Sequence, residues 1–184
     1  ATYAAALAPG ANSDAVPIHR LRLMRDLRSV LGRDALISVE AGGTHNWYVY
    51  GFPAYTPMLE PGDYSIMGSA FCQALAAKVV FPDRQVCSVI GDGALMITVQ
   101  ELATAVAHNL NVLVVVNHNS VYGNMYQKQI KNFGGRHPGT ELYMPDMAAV
   151  GRAFGCYGEQ VSRPEELVPA FRRALASGRP AVID

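Results

Sequence analysis

The sequence predicts an α/β fold, a doubly wound and mostly parallel sheet with helices on both faces. Short runs of apolar, largely β-branched residues predict strands that are covered on both sides, as in a parallel sheet. Segments with apolar residues at three- and four-residue steps separate these runs and predict helices. Strands that alternate with helices form parallel sheets through crossover connections. A chain of 184 residues without internal repeats fits one such domain.

The first half of the chain contains two predicted helices and two predicted strands. The strands are the apolar runs ALISV and VCSVI, and Gly32 and Pro82 stand where the two helices can end. The connection between the first strand and the second helix is rich in Gly, Pro, Tyr and Trp, which is typical of a functional loop. In order, these elements are a helix at residues 21–31, a strand at 35–39, a long connection with room for a short helix at 40–66, a helix at 68–80 and a strand at 86–90.

The second half continues the alternation. The run VLVVV has the strongest strand character of the chain, and Ser162 with Glu165 forms a capping-box pattern before the last helix. In order, the elements are a helix at residues 99–109, a strand at 112–116, a helix from Tyr122, a glycine-rich stretch at 133–136, a helix at 146–154, a short strand near 160–161, a helix that ends before Gly178, and a strand at 181–183.

Composition excludes several classes of function. Fifteen basic residues balance fifteen acidic ones, so no basic face indicates binding to nucleic acid. No apolar run approaches the length of a membrane span, and no signal-peptide pattern opens the chain. Cys72, Cys87 and Cys156 are widely spaced in apolar stretches, which favours reduced core cysteines. We therefore expect a cytoplasmic protein.

The two ends of the sequence suggest how the chain is organised. Residues 1–16 open with small residues and no Met, which predicts a linker, and residues 17–184 form the predicted domain. The last apolar run, at residues 181–183, reaches almost to the final residue, although an edge of this kind needs to be covered. We expect the chain to be a piece of a longer protein or to need a partner.

Two polar clusters follow strands, at 91–93 and 117–119. Ligands of open α/β sheets bind beyond the carboxyl ends of the strands, so both clusters are candidate sites. In the first, Gly91 and Gly93 flank Asp92 and allow the backbone to approach an anion; in the second, Asn119 offers a neutral amide oxygen. A carboxylate and an amide suit Mg²⁺, whose coordination phosphate and water can complete. Taken separately, each cluster is better explained as a turn.

Taken together, the clusters resemble the thiamine-diphosphate (ThDP) binding signature, because Asn119 follows Asp92 by 27 residues across a helix and an apolar strand. The stretch from SIMGSAF to NHNSVYG (65–123) looks like acetolactate synthases and relatives such as benzoylformate decarboxylase, and the resemblance extends over residues 18–184. It implies the ThDP-binding fold, ThDP and Mg²⁺ as cofactors, and the diphosphate-binding domain of an enzyme that cleaves or forms a C–C bond next to a carbonyl.

The resemblance also implies roles for individual residues. Met67 matches the large apolar residue that props ThDP in its bent conformation. Lys128 stands where true acetohydroxyacid synthases have Trp, which argues against that specific activity. The implied metal ligands are Asp92, the Asn119 side chain and the Val121 carbonyl; the implied cofactor contacts are Gly43, Thr44, His45, Ser65, Met67, Gly91, Asp92, Gly93, Ala94, Asn119, Val121, Tyr122 and Gly123; and the implied substrate contacts are Asn124 and Lys128.

One part of the family's site has no counterpart here. Relatives activate ThDP with a glutamate from a pyrimidine-binding domain, whereas Glu40 and Glu101 fall on the diphosphate side. The resemblance therefore implies a pyrimidine-binding domain, on the same polypeptide or a separate subunit, most often in a homodimer or tetramer. FAD would require a domain that this chain does not contain.

Several functions remain open at this stage. The net reaction could be that of an acetolactate-synthase-like carboligase, or a simple 2-oxo acid decarboxylase or lyase, for example a sulfopyruvate-decarboxylase-like subunit. The other classes are a phosphate- or nucleotide-binding module and a structural domain without a cofactor.

Overall fold

Six strands form one parallel sheet in the part of the chain that the computed structural model describes, residues 3–52, 56–60 and 62–184. The strands are β1 (Leu36–Val39), β2 (Met58–Leu59), β3 (Val86–Gly91), β4 (Val112–Asn117), β5 (Tyr157–Glu159) and β6 (Ala181–Ile183). Their order across the sheet is β2-β1-β3-β4-β6-β5, and every neighbouring pair is parallel. The two strands that precede the polar clusters, β3 and β4, therefore lie side by side at the centre.

Nine α-helices accompany the sheet within the same residues. They are α1 (Tyr3–Ala11), α2 (Arg20–Val30), α3 (Gly43–Gly51), α4 (Ser69–Val80), α5 (Asp92–Ile97), α6 (Glu101–Ala107), α7 (Gly123–Asn132), α8 (Met147–Ala153) and α9 (Leu167–Ala176). Short 3-10 turns occupy Gly62–Tyr64 and Pro164–Glu166. None of the helices described is both long and apolar enough to cross a lipid bilayer.

Each face of the sheet carries its own hydrophobic core. Successive side chains of a strand point to opposite faces, so Cys87 and Val89 of β3 pack with α2, α3 and α9, whereas Val86 and Ile90 pack with α4, α5, α6 and α8. Both faces of the central strands are thus covered by helices. The predicted doubly wound α/β fold is confirmed.

The structure differs from the sequence prediction at the N-terminus. Residues 3–11, inside the predicted linker, form α1, which packs against α2. Alanine is the best helix former, and five alanines in this short stretch explain the helix. The division into a linker at 1–16 and a domain at 17–184 stays a prediction. Residues 1–2 of the linker, and residues 53–55 and 61 of the predicted connection, lie outside the described residues.

Three further predictions were displaced. The helix predicted at 99–109 is shorter than expected and is α6, at Glu101–Ala107, whereas the short helix α5, at Asp92–Ile97, was not predicted. The strand predicted near 160–161 lies at Tyr157–Glu159, where Gly158 lets α8 approach: a Cβ there would lie 2.2 Å from the Ala148 carbonyl oxygen. The capping contact before the last helix joins the Arg163 N–H to Glu166 at 3.2 Å, one residue later than predicted.

Two more features were not as expected. The two-residue strand β2 was not predicted, since Met58–Leu59 is too short to show a pattern. Cys87 and Cys156 are buried and free, as predicted, but the Cys72 residue is exposed and not part of the core. Its position on α4 turns it away from the sheet that its apolar neighbours contact.

Candidate metal and cofactor site

Asp92 and Asn119 come to the same edge of the sheet because of the register of β3 and β4. Gly91 of β3 pairs with Asn117 of β4, so both strands end at the same level of the sheet. Asp92 is then the first residue of α5, and Asn119 lies in the loop that leads to α7. The fold thus brings together the two polar clusters that the sequence separates by a helix and a strand.

The Asp92 carboxylate is buried and fixed by backbone N–H groups. It is 2% exposed, and its Oδ2 accepts hydrogen bonds from the N–H groups of Asn119 at 3.1 Å and Ser120 at 2.6 Å. Its Oδ1 accepts from the Gly93 N–H at 2.8 Å. Three donors hold one carboxylate, which leaves lone pairs for a cation, since each carboxylate oxygen can accept more than one bond.

The loop after β4 is itself rigidly held. Ser120 has φ of 55°, the left-handed region that non-glycine residues seldom adopt, and the Asn119 Oδ1 accepts the Val121 N–H at 3.1 Å. The segment that follows α7 closes over the loop: the Tyr122 N–H donates to the Thr140 carbonyl at 2.9 Å, and the Leu142 N–H to the Ser120 carbonyl at 2.8 Å. The loop geometry is therefore fixed on both sides of Val121.

His118 has partners that the sequence did not indicate. Its Nδ1 lies 2.9 Å from the Asp184 carboxylate, and its Nε2 lies 3.2 Å from the Ser120 hydroxyl. Asp184 also accepts the Met147 N–H at the start of α8, at 2.9 Å. His118 is thus a strand-end histidine with a partner at each ring nitrogen. Asp184 was missed, although its place directly after β6, at the carboxyl end of a strand, was a usable signal.

The glycines of the first cluster differ in their surroundings. An ideal Cβ on Gly91 would meet no atom within 4 Å, and the same holds for Gly43. A Cβ on Gly93 would lie 2.8 Å from both the Tyr122 ring and the Leu142 side chain. Gly91 and Gly43 therefore face open space that a ligand can fill, while Gly93 is covered by side chains of the loop region. Its N–H donates to Asp92 in this structure.

The loop that carries Met67 projects from the start of α4. Ser65 and Gly68 on either side have φ of 46° and 87°, so the chain turns sharply around Met67. The Met67 side chain is 39% exposed and belongs to neither core. Its neighbour Ile66 is 63% exposed. A methionine that was ordinary core packing would be covered within this domain, and this one is not.

The remaining predicted residues lie on helices α3, α5 and α7. Asn124, on the first turn of α7, lies beside the loop before α3, with its Cβ 4.0 Å from an ideal Cβ on Gly42. Lys128 is exposed one turn further along α7. His45, on α3, lies 3.0 Å from the Glu60 carboxylate, a contact that the sequence did not indicate. Thr44 is the second residue of α3, and Gly123 is the first residue of α7. Ala94 is buried in α5.

Comparison with known proteins identifies the family. Residues 41–184 match the family model of the C-terminal TPP-binding domain of thiamine pyrophosphate enzymes. The chain belongs to this family. Because the matched region contains both polar clusters and the Met67 loop, the resemblance, the fold and ThDP as the cofactor are confirmed.

Individual relatives agree with this assignment. The chain is 36% identical to the acetolactate synthase large subunit of Mycobacterium tuberculosis over 183 residues, which covers 93% of this chain and 32% of that protein. It is 29% identical to the sulfoacetaldehyde acetyltransferase of Castellaniella defragrans, covering 86% of this chain and 27% of that protein. The chain therefore spans about a third of the length of such relatives.

A solved structure is similar in fold. The thiamine diphosphate-dependent 4-hydroxybenzoylformate decarboxylase of Rhodococcus jostii RHA1 superposes with a TM-score of 0.85 at 24% sequence identity. The superposition covers 93% of this chain and 33% of the decarboxylase. At this identity the similarity bears on the fold alone.

Proposed function

We propose that this chain binds Mg²⁺ and the diphosphate of ThDP in an enzyme that cleaves or forms a C–C bond adjacent to a carbonyl. The substrate class is a 2-oxo acid or an acyl donor, as in acetolactate-synthase-like carboligases. One observation carries the proposal: the buried Asp92 carboxylate is hydrogen-bonded to the very loop that holds Asn119 and Val121. The family to which the chain belongs indicates that the cofactor is ThDP.

The donor set at this edge of the sheet fits Mg²⁺. Asp92 offers a carboxylate oxygen, Asn119 an amide oxygen and Val121 a backbone carbonyl, all hard ligands of the kind that Mg²⁺ prefers. One negative charge from the protein leaves the remaining positive charge for the diphosphate. The open space at Gly91 and Gly43 fits a bulky anion beside these ligands. The loop N–H groups that hold Asp92 orient the carboxylate before any metal binds.

Bound ThDP would supply a carbanion at its thiazolium C2, and the residues of this chain would hold and orient the cofactor. Met67 would support the bend of the cofactor, while the Met67 N–H and the Ser65 carbonyl would contact its aminopyrimidine ring. Its exposure within this domain leaves the Met67 side chain free to contact a ligand. Methionine is soft enough to fit between two aromatic rings.

The site needs a second domain to be complete. Apolar side chains exposed around it include Tyr64 (88%), Ile66 (63%), Ile97 (51%) and Met125 (50%), and such patches mark interfaces. We assign this surface to a pyrimidine-binding domain, in a homodimer or tetramer, in the cytoplasm. The length of the relatives supports further domains in the full protein.

Two alternatives differ in chemistry. A simple decarboxylase or lyase would use the same cofactor site without a second substrate, and the more polar α7, with Asn124 and Lys128, favours an anionic substrate pocket of that kind. A phosphate- or nucleotide-binding module would use Gly91 and Asp92 without Met67. A rise in Tm with ATP or NAD, and none with ThDP, would favour the second alternative.

The proposed function is tested by separating this chain from its partner domain. We expect the isolated 184-residue chain neither to decarboxylate 2-oxo acids nor to exchange the C2 proton of ThDP faster than free ThDP does. The physical reason is that the glutamate expected to protonate the aminopyrimidine nitrogen belongs to the pyrimidine-binding domain, and no residue in the described part of this chain is assigned that role. Addition of the pyrimidine-binding domain, or use of the full protein, should restore both activities. Full activity of the isolated chain would contradict the partner requirement.

Lys128 is expected to affect substrate choice and not cofactor binding. It lies one turn from Asn124 on the same face of α7, where an exposed ammonium can pair with a substrate anion. Lys128→Ala should raise KM for an anionic 2-oxo acid about 10-fold, the effect of one lost ion pair of ~1.4 kcal/mol, with ThDP affinity unchanged. Lys131→Ala on the same helix is the matched control. Unchanged kcat and KM across several 2-oxo acids would leave Lys128 as a solvated lysine.

A further inference from the structure

The position of Met67 is not explained by side-chain packing. Its side chain is 39% exposed, and the flanking Ile66 is 63% exposed, so hydrophobic contacts within this domain do little to hold either. Catalysis nevertheless depends on small displacements, since a misplacement of about 1 Å can cost roughly 100-fold in rate. The backbone on either side of Met67 must therefore carry the constraint.

Glu40 holds the N–H that follows Met67. This carboxylate is 2% exposed at the end of β1, and its Oε2 accepts the Gly68 N–H at 3.0 Å in a buried hydrogen bond. Its Oε1 accepts the Ala41 N–H at 3.1 Å, and the Glu40 N–H donates to the Val89 carbonyl of β3 at 2.9 Å. The acceptor thus lies at the end of β1 and is hydrogen-bonded to the central strand β3, so the sheet fixes its position.

Thr98 contacts the carbonyl side of Gly68. Its hydroxyl donates to the Gly68 carbonyl at 3.4 Å, and its methyl group would lie 2.8 Å from a Cβ on Gly68. Gly68 has φ of 87°, which favours glycine, and it directly precedes α4, whose Phe71 is fully buried. The residue that follows Met67 is therefore fixed at its N–H, at its carbonyl and by the helix beyond it.

The burial of Glu40 has an energetic cost. Desolvation raises the pKa of this carboxyl, although the N–H groups of Ala41, Ala70 and Gly68 oppose the rise. A group whose pKa is raised on folding favours the folded state below its ordinary pKa, and that contribution is lost as the pH rises through the folded-state value. Ionisation of this buried carboxyl therefore lowers the stability of the fold as the pH rises through its folded-state pKa. A contribution to folding alone therefore does not explain why a carboxyl group is buried at position 40.

We propose that Glu40 and Thr98 are positioning residues that clamp Gly68 and thereby fix the direction in which Met67 projects toward the cofactor. This inference rests on the proposed function, in which Met67 supports bound ThDP. Neither Glu40 nor Thr98 need touch the cofactor. Both act through the backbone of one glycine.

The test uses the full protein with the variants Glu40→Gln and Thr98→Val. Glutamine keeps the shape of Glu40 but turns an NH₂ group toward N–H donors, and valine keeps the shape of Thr98 without its hydroxyl. Three quantities are measured for each: hydrogen exchange of the Gly68 amide without ThDP, the Kd for ThDP with Mg²⁺, and kcat at saturating ThDP. Thr98→Ser, which retains the hydroxyl, and Glu165→Gln, an exposed glutamate, are the controls.

In both variants we expect exchange of the Gly68 amide to accelerate at least about 10-fold and kcat to fall about 10-fold or more, with Kd for ThDP within about 3-fold of the parent. Thr98→Ser and Glu165→Gln should behave as the parent. Faster exchange at Gly68 with an unchanged kcat would overturn the positioning role, and unchanged exchange would overturn the clamp. If Glu40→Gln does not fold, Thr98→Val alone decides. A parent protein that binds no ThDP would instead overturn the proposed function, and with it this inference.

Discussion

Replacement of Asp92 by asparagine is expected to weaken Mg²⁺-dependent binding of ThDP by about 100-fold or more, on the order of 3 kcal/mol. Asparagine keeps one acceptor oxygen but removes the negative charge, so the metal loses its only charged protein ligand in the proposed set. Mg²⁺ and ThDP bind interdependently in this arrangement, because the diphosphate completes the coordination. Titration calorimetry of ThDP in the presence of Mg²⁺, on the full protein, measures the effect.

The fold should tolerate this change. The amide can still accept one of the N–H groups of Asn119 and Ser120, so we expect a cost of about 1–3 kcal/mol in the free energy of unfolding and an unchanged circular dichroism spectrum. Asp26→Asn is a matched control, since Asp26 is also buried, at 3% exposure, but pairs with Arg22 and Arg25 on α2. It should lower Tm and leave ThDP affinity intact. Equal ThDP affinity in Asp92→Asn and the parent would refute the metal assignment.

Replacement of Met67 by glycine is expected to lower kcat about 100-fold while the Kd for ThDP changes by only a few fold. The diphosphate and the metal supply most of the binding, whereas Met67 enforces the conformation that brings the reacting atoms together. Loss of the side chain therefore affects the reaction more than the affinity. Hydrogen–deuterium exchange at the thiazolium C2 in the full protein measures this directly.

Two variants separate this role from packing. Met67→Leu keeps the bulk of the side chain and should retain most of the exchange rate. The exposure of Met67 predicts that neither variant lowers Tm by more than a few degrees. If Met67→Gly exchanges the C2 proton as fast as the parent, Met67 does not set the conformation of the cofactor.

A large part of this protein was evident in the sequence. The apolar runs at β3 and β4 predicted buried central strands, because a strand that is covered on both faces lacks the alternation of apolar and polar residues that a half-exposed strand shows. Asn119 follows Asp92 by 27 positions, a step that fits one helical crossover between neighbouring strands, and both residues lie just after a predicted strand, so the sequence predicted that they share one edge of the sheet. Met67 was recognised through its family motif and not through any periodicity.

Only the tertiary structure decided how these residues are supported. Asp184 meets His118 from 66 positions away, and Glu40 meets Gly68 from 28 positions away; no local pattern records either contact. The two-residue strand β2 and the short helix α5 were also not predicted, because both are too short to show a periodic pattern. Residue types and their spacing along the chain were enough to predict the candidate ligands. The hydrogen bonds that hold this chemistry in place depend on which strands become neighbours, and that is settled only when the sheet forms.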